Sequence, residues 1–316
     1  MPVHSRSRKK AYFQNKEAKK VKADRRWVWL FNIIFPFVVV VMVSHLISST
    51  TYFWDGKSKI VLSIADTDSD IGLISFDPIG DSVTYIKIPK ETEVEVARSL
   101  GKWRIKNVPK LGQSEEVGGN LLSETLTKHF KFPSYTWANS QAVGFYKGDM
   151  ASLFSTVFTT YDTNLGFGDR LKMAYFSMRT KNFKKEKIEL KDTRYLKQVE
   201  LTDGELGYVV SGSIPTNIAA IFADPNLVVG NERAKIVDRS EKNFVGEDVG
   251  EIVEVLGFKV LSISTDSPED IDCVVSGQST SGVRVVSKIF GCSIELNESL
   301  DVGIMITVGT QFERRY

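Results

Sequence analysis

The chain has 316 residues, a formal net charge of +2, three histidines and two cysteines. That length accommodates one or two folded domains of ~100–200 residues each, and so few cysteines exclude a disulfide scaffold and a zinc centre. The charge is unevenly placed. Ten Lys/Arg lie between Arg6 and Arg26 against Glu17 and Asp24, so the rest is mildly acidic and gives no electrostatic case for nucleic acid.

Residues 1–26 read as a polar, basic cytoplasmic tail, suited to anionic lipid headgroups. Trp27 to Ile47 holds 21 residues without Asp, Glu, Lys or Arg, close to the ~20 apolar residues that cross a bilayer core. We expect a single transmembrane helix over 27–49. The positive tail places the N-terminus inside and the bulk of the chain outside the cell. Trp27 and Trp29 on one side, and Tyr52, Phe53 and Trp54 on the other, match interfacial aromatic belts. Pro36 would kink this helix. The stretch after it offers no A-x-A cleavage site, which favours an uncleaved anchor over a signal peptide.

After a short linker, apolar runs bounded by turn residues predict strands at 59–66, 71–76 and 81–88, with the turn Asp77-Pro-Ile-Gly-Asp81 between the last two. The alternation from Glu91 suggests a fourth. Leu122, Leu126, His129 and Phe130 share one face of a helix that starts near Leu121. Met150, Leu153, Phe154, Val157 and Phe158 recur at helical spacing. Leu171, Ala174, Tyr175 and Met178 mark a further helix, and Lys187 to Asp192 a further strand. Residues 197–217, rich in Gly and Ser, read as loop. Asp224-Pro225-Asn226 reads as a boundary. Beyond it a compact βαββαβ run follows, with strands near 234–238, 258–263, 271–276 and 302–308 and helices at 246–256 and 281–290. The fold class is therefore α/β (α+β), with a mixed-sheet part at 58–222 and a small part at 230–316.

No general catalytic motif is present: there is no P-loop, GxGxxG, G-x-S-x-G, HExxH or CxxC. A Ser/His/Asp triad would have to use His129, which reads as a packing residue. Asp66, Asp68 and Asp70 form the best metal candidate. Ile71 stands where a calcium loop needs Gly, so Mg²⁺ held jointly with a phosphate is the better fit; no other cofactor is expected. Lys90 and Glu91 follow a strand and Pro89. A cation there could hold a phosphate as a point charge, or form an exposed ion pair worth little.

At these residues the chain resembles the LytR-CpsA-Psr family of envelope proteins. The family pattern has S-D-T, then a strand ending in D-P, then a strand ending in S-I-P-R-D-T. The matching text is Ser69-Asp70-Ile71, then Leu73 to Asp77-Pro78, then Ile86 to Pro89-Lys90-Glu91-Thr92. Thr163-Asn164-Leu165 is similar to a later family segment, and residues 230–316 resemble the LytR C-terminal module. The two resemblances cover roughly 58–312. They imply a membrane-anchored enzyme that transfers glycopolymers from polyprenyl pyrophosphate to the cell wall, with Asp70 and Lys90 in the catalytic positions. They also imply membrane lipid, lipid-linked glycan, wall polymer or an envelope protein as partners. The family's pyrophosphate-binding Arg is Lys90 here, its following Asp is Glu91, and its Arg-rich segment is absent. Arg104 and Lys106 could act as replacement ligands with Glu91. Lys lacks the bidentate fork of Arg, so we expect a degenerate site that binds rather than transfers. An active Mg²⁺-dependent glycopolymer transferase is the alternative, and enzyme status stays open between them. Cys273 on a strand and Cys292 after the next helix are placed to form a disulfide.

Overall fold

The computed structural model describes residues 53–65, 71–242, 244–278, 281–297 and 303–316, together with Phe35, Val38 and Met42. The expected span 27–49 otherwise lies outside these residues. Phe35, Val38 and Met42 are helical and exposed. Among the described residues no helix is long and apolar enough to cross a membrane.

The first sheet is built from β1 (Ile60–Ala65), β2 (Ile71–Asp77) and β3 (Ser82–Ile88), joined later by β6 (Thr136–Asn139) and β7 (Lys185–Glu189) in the order β6-β1-β2-β3-β7. β2 runs antiparallel to both neighbours, while β6 and β7 run parallel to β1 and β3. The three central strands are buried on both faces, which explains their unbroken apolar runs. Leu73, Ile86 and Ile88 face one core, with Leu122, Leu126 and Phe130 of a covering helix. Leu62, Ile74, Phe76 and Val83 face the other, with Phe145, Met173 and Phe176. Gly72 sits mid-strand because a Cβ there would overlap the Tyr85 ring.

Between β3 and β6 run β4 (Glu93–Glu95), β5 (Lys102–Arg104), α1 (Val108–Ser114) and α2 (Asn120–Phe130); β4 and β5 pair antiparallel. On the opposite face lie α3 (Gly144–Lys147), α4 (Met150–Phe158) and α5 (Phe167–Arg179). The expected helix at 150–158 forms, but its buried line is Leu153, Thr156 and Val157. Met150, Phe154 and Phe158 face outward at 70%, 66% and 57% exposure. Residues 197–217 are not all loop. β8 (Leu196–Glu200) and β9 (Leu206–Val210) form a hairpin, followed by α6 (Thr216–Phe222). The expected boundary at Asp224 is the cap of α7 (Pro225–Val229), where the Asp224 carboxylate accepts from Asn226 N at 2.9 Å.

The second sheet holds β10 (Arg233–Arg239), β11 (Lys259–Thr265), β12 (Cys273–Gly277), β13 (Ser293–Leu296) and β14 (Ile304–Gly309), ordered β11-β10-β14-β12-β13. Helices α8 (Val245–Val255) and α9 (Ser281–Phe290) cover it, and α10 (Thr310–Arg315) closes the chain. The expected βαββαβ run thus gains β13 and a last helix. β13 is exposed at every residue, so it carries no buried alternation to read. The described residues from Phe53 onward pack as one unit. Lys131 at the end of α2 donates to Asp248 of α8 at 2.7 Å, and Val255 of α8 joins the core under the first sheet.

Cys273 and Cys292 are joined by a disulfide, with Cα atoms 4.6 Å apart and a sequence separation of 19. It ties β12 to the turn after α9. Closing a loop of that length stabilises by ~3 kcal/mol in the chain-entropy model. Replacing both cysteines by Ala should lower the unfolding free energy by that order in denaturant titration, and non-reducing peptide mapping should recover a joined peptide with no alkylatable thiol.

Candidate functional site

The carboxyl ends of β1, β3, β6 and β7 meet at one end of the first sheet: Ala65 pairs with Asn139, and Lys87 with Glu189. Ile88, the last residue of β3, pairs with Ile71, the first of β2. The metal candidates Asp66, Asp68 and Asp70, and with them the catalytic candidate Asp70, lie outside the described residues. Among the described residues no group of three His, Cys, Asp or Glu could hold a metal ion.

Lys90 is exposed in a tight turn that Thr92 closes on the Pro89 carbonyl, from its N–H at 3.0 Å and its hydroxyl at 2.7 Å. Glu91 beside it accepts from Lys106 Nζ at 2.8 Å and from Arg104 Nη1. The other terminal nitrogen of Arg104 donates to Asp203 at 2.6 Å. Burial pushes the Glu91 carboxyl up, and the hydrogen bonds from Lys106 and Arg104 outweigh it, so the group lies below the usual carboxylate range. The fork of Arg104 is therefore divided between two carboxylates, and Lys106 is drawn to one of them. The fold brings Glu91, Arg104 and Lys106 together, as a charge-compensated network rather than an open cationic pocket.

His129 is a packing residue. Its Nδ1 accepts from Glu95 N at 3.3 Å, its Nε2 is buried without a partner, and its ring stands edge-on to Phe130. Burial lowers its pKa from 6.5 to about 4. A base with a depressed native pKa is protonated first in the unfolded chain, so stability is full above pH 6.5 and falls between pH 6.5 and about 4. The loss should be on the order of 2 kcal/mol. Thermal unfolding of His129→Gln across that window should follow a flatter profile than the parent.

A second constellation lies at the other end of the first sheet, where the chain enters the fold. Asp169, fully buried in the first turn of α5, accepts from Phe53 N at 3.2 Å, Trp54 N at 3.0 Å and Gly166 N at 3.2 Å. Trp54 packs against Phe76 and Phe176, and Lys172 Nζ donates to its carbonyl at 3.1 Å. Lys288 of α9 donates to the Phe53 carbonyl at 3.1 Å and lies over the rings of Phe53 and Tyr135, 5.8 and 5.6 Å from their centroids. Around these groups is a recess of about 480 Å³ whose charged lining is Lys172, Arg284 and Lys288 against Asp55, with Ser281 at the start of α9. The Asp55 carboxylate is engaged by Lys57 N at 2.8 Å and Ser58 N at 2.9 Å. Burial lowers the pKa of Lys288 and raises that of Tyr135.

A cavity of about 270 Å³ shares Phe53, Tyr135 and Lys288 with the recess and runs past Asn164 to Tyr316, whose buried hydroxyl has no partner. Asn164 accepts from Trp137 N and donates to the Tyr135 carbonyl, both at 2.9 Å, so the Thr163-Asn164-Leu165 segment braces β6 beside this cavity. Three cations with hydrogen-bonding hydrogens, next to a helix N-terminus, suit an anion. Ser281, Arg284, Val285 and Lys288 stand at i, i+3, i+4 and i+7 on α9, a face legible in the sequence. Its opposition to Lys172, more than a hundred residues earlier, is not.

No family model and no curated protein matches this chain. Solved structures do. TagT of Bacillus subtilis is 13% identical, with 51% of this chain and 88% of that chain covered and a TM-score of 0.36. TagV of Bacillus subtilis is 9% identical, covering 52% and 94%, also at 0.36. A transcriptional regulator of Enterococcus faecalis is 7% identical, covering 64% and 88%, at 0.36. TagT is described as a LytR-CPS2A-psr family protein, with octaprenyl pyrophosphate bound in one structure. Each is a likeness of fold to part of this chain, too distant to carry residue roles across.

Asp169→Ala would strand the N–H groups of Phe53, Trp54 and Gly166. Leaving such buried donors unsatisfied should cost roughly 3 kcal/mol, read in denaturant unfolding, and limited proteolysis should then cut near Phe53.

Proposed function

We propose that this chain is a membrane-anchored, extracytoplasmic cell-envelope protein. It holds a lipid-linked glycan, a wall polymer or a protein partner without turning it over. Residues 1–26 are the cytoplasmic tail, 27–49 the anchor, 58–222 the transferase-like part and 230–316 the C-terminal module. The observation that carries this reading is the state of Arg104 and Lys106. Phosphoryl transfer depends on cations that stabilise charge as it develops. Here Arg104 and Lys106, the replacement cations beside Glu91, are already neutralised by Glu91 and Asp203.

Binding is assigned to the recess beside Phe53, where Lys172, Arg284 and Lys288 face a common space. A pyrophosphate there would accept from the two ammonium groups and the guanidinium, the latter able to engage two oxygens at once. A Mg²⁺ ion held by Asp66, Asp68 and Asp70 would sit after β1, at the other end of the sheet from this recess, and no step is assigned to it.

The test is native mass spectrometry of the full chain in detergent with polyprenyl pyrophosphate and Mg²⁺. We expect a retained, unconverted lipid adduct. It should weaken about tenfold in Arg284→Ala, the loss of one charge-assisted contact, and change little in Lys90→Ala. Release of polyprenyl products that stops in Lys90→Ala would establish the active transferase instead. Absence of any adduct would remove the lipid-linked ligand and leave the wall polymer or protein partner.

A further inference from the structure

We propose that the outward face of the α4/α5 hairpin is a membrane-docking surface that lies on the lipid headgroup layer. This rests on the reading of residues 27–49 as an anchor. On α4, Met150, Phe154 and Phe158 recur every four residues and are 70%, 66% and 57% exposed. On α5, Leu171, Tyr175 and Met178 recur at i, i+4 and i+7, with Tyr175 61% and Met178 51% exposed. The helices pack together, and the ring of Phe158 meets that of Phe167, 5.9 Å between centroids. Leu171 packs partly against the core beneath, so the outward residues are Met150, Phe154 and Phe158 on α4 and Tyr175 and Met178 on α5, on two helices that pack side by side. A water-facing face of this size and aromatic content calls for an occupant.

Two observations identify that occupant as a bilayer. The first is the tether. The expected span ends at residues 47–49, and Phe53 is held to Asp169 in the first turn of α5. Four to six residues reach at most ~20 Å when fully extended. The Phe158–Phe167 end of the face is thus kept within a short distance of the headgroups for as long as the anchor is in the membrane. The second is charge. From Met150 to Lys185 there are six Lys/Arg against Asp162 and Asp169, and Asp169 is buried, in a folded part that is otherwise acidic. Arg170 lies over the rings of Tyr161 and Phe167. Of the six, Lys172 donates to the Trp54 carbonyl, and Arg179 and Lys184 pair with Asp81. Arg170 and Lys181 stay over aromatic rings. Aromatic and thioether side chains with such cations match surfaces that settle into an anionic interface.

The face fixes how the rest of the fold is presented. The recess of Lys172, Arg284 and Lys288 shares α5 and Phe53 with it, so docking would bring that recess to headgroup height.

The experiment uses the full chain in vesicles of phosphatidylethanolamine and phosphatidylglycerol, some lipids carrying a nitroxide at the headgroup. The native cysteines are paired, so single substitutions can be labelled with a polarity-sensitive fluorophore. Phe154→Cys and Tyr175→Cys should be strongly quenched and blue-shifted. Glu205→Cys, in the β8–β9 turn at the far end of the sheet, should stay unquenched. Adding Phe158→Glu with Met150→Glu should reduce quenching at position 175 several-fold. Val39→Cys reports the anchor separately through its blue shift, since mid-span it lies ~15 Å from the headgroup nitroxides. A blue shift at 39 with no quenching at 154 and 175 would overturn the docking and leave the anchor intact. No blue shift at 39 and no quenching at 154 and 175 would remove the anchor, and the docking with it. Cross-linking of Phe154→Cys between copies in place of quenching would make the face a dimer contact and overturn the proposal.

Discussion

The fold is organised around one buried carboxylate. Asp169 is fully enclosed, and a lone ion in that position would be far too costly to keep charged. Backbone N–H groups from Phe53, Trp54 and Gly166 supply the missing solvation. The same bonds cap α5, dock the incoming chain and seat Trp54 against Phe76 and Phe176. Much else follows from that seat. With Phe53 and Trp54 fixed, their carbonyls become acceptors for Lys288 and Lys172, and Phe53 meets Tyr135 from the strand that pairs with β1. The two sheets are referred to one point through Trp54 and Lys288, and the cationic recess exists because of it.

The opposite end of the first sheet obeys a different constraint. Arg104 and Lys106 lie together near the end of β3, and Glu91 and Asp203 provide their counter-charges. Glu91 stands where the LytR-CpsA-Psr pattern has Asp, and the extra methylene lets its carboxylate reach across to Arg104 and Lys106 while its carbonyl accepts from Tyr208. An arrangement that satisfies its cations internally is stable when empty. Any phosphate would have to displace these contacts before gaining its own, which lowers affinity and removes most of the electrostatic help a transfer reaction would need.

Much of this was legible in the sequence because burial and periodicity coincided. β1 to β3 are enclosed on both faces, so they stand out as apolar runs. Val249, Ile252, Val253 and Leu256 line the core side of α8 and its end, as their spacing indicates. Elsewhere the signal was weak or misleading. The β8/β9 hairpin is mostly exposed or half-buried and carries no clean alternation. β6 is four residues long, too short for any period. On α4 the period gave the helix and part of its buried side: Leu153 and Val157 are buried with Thr156, which donates to the Gln141 and Ser152 carbonyls, while Met150, Phe154 and Phe158 face out. A sequence period reports that a helix has an apolar side, not whether protein or something else covers it. The candidate site divides the same way. Glu91, Arg104 and Lys106 lie within sixteen positions and could be grouped by eye, whereas Asp55, Lys172, Arg284 and Lys288 are joined only by the fold.

The separation of the two ends bears on which of them can receive an anion. β1 runs six residues from the Phe53 end to the Lys90 end, about 20 Å at ~3.3 Å per residue, so one phosphate group cannot be held at both. Near Lys90 the charges of Arg104 and Lys106 are already met by Glu91 and Asp203. Beside Phe53, Lys172, Arg284 and Lys288 face a common space against a single carboxylate, Asp55, which its own turn engages. Of the two ends, the second has the excess of positive charge that an anion needs.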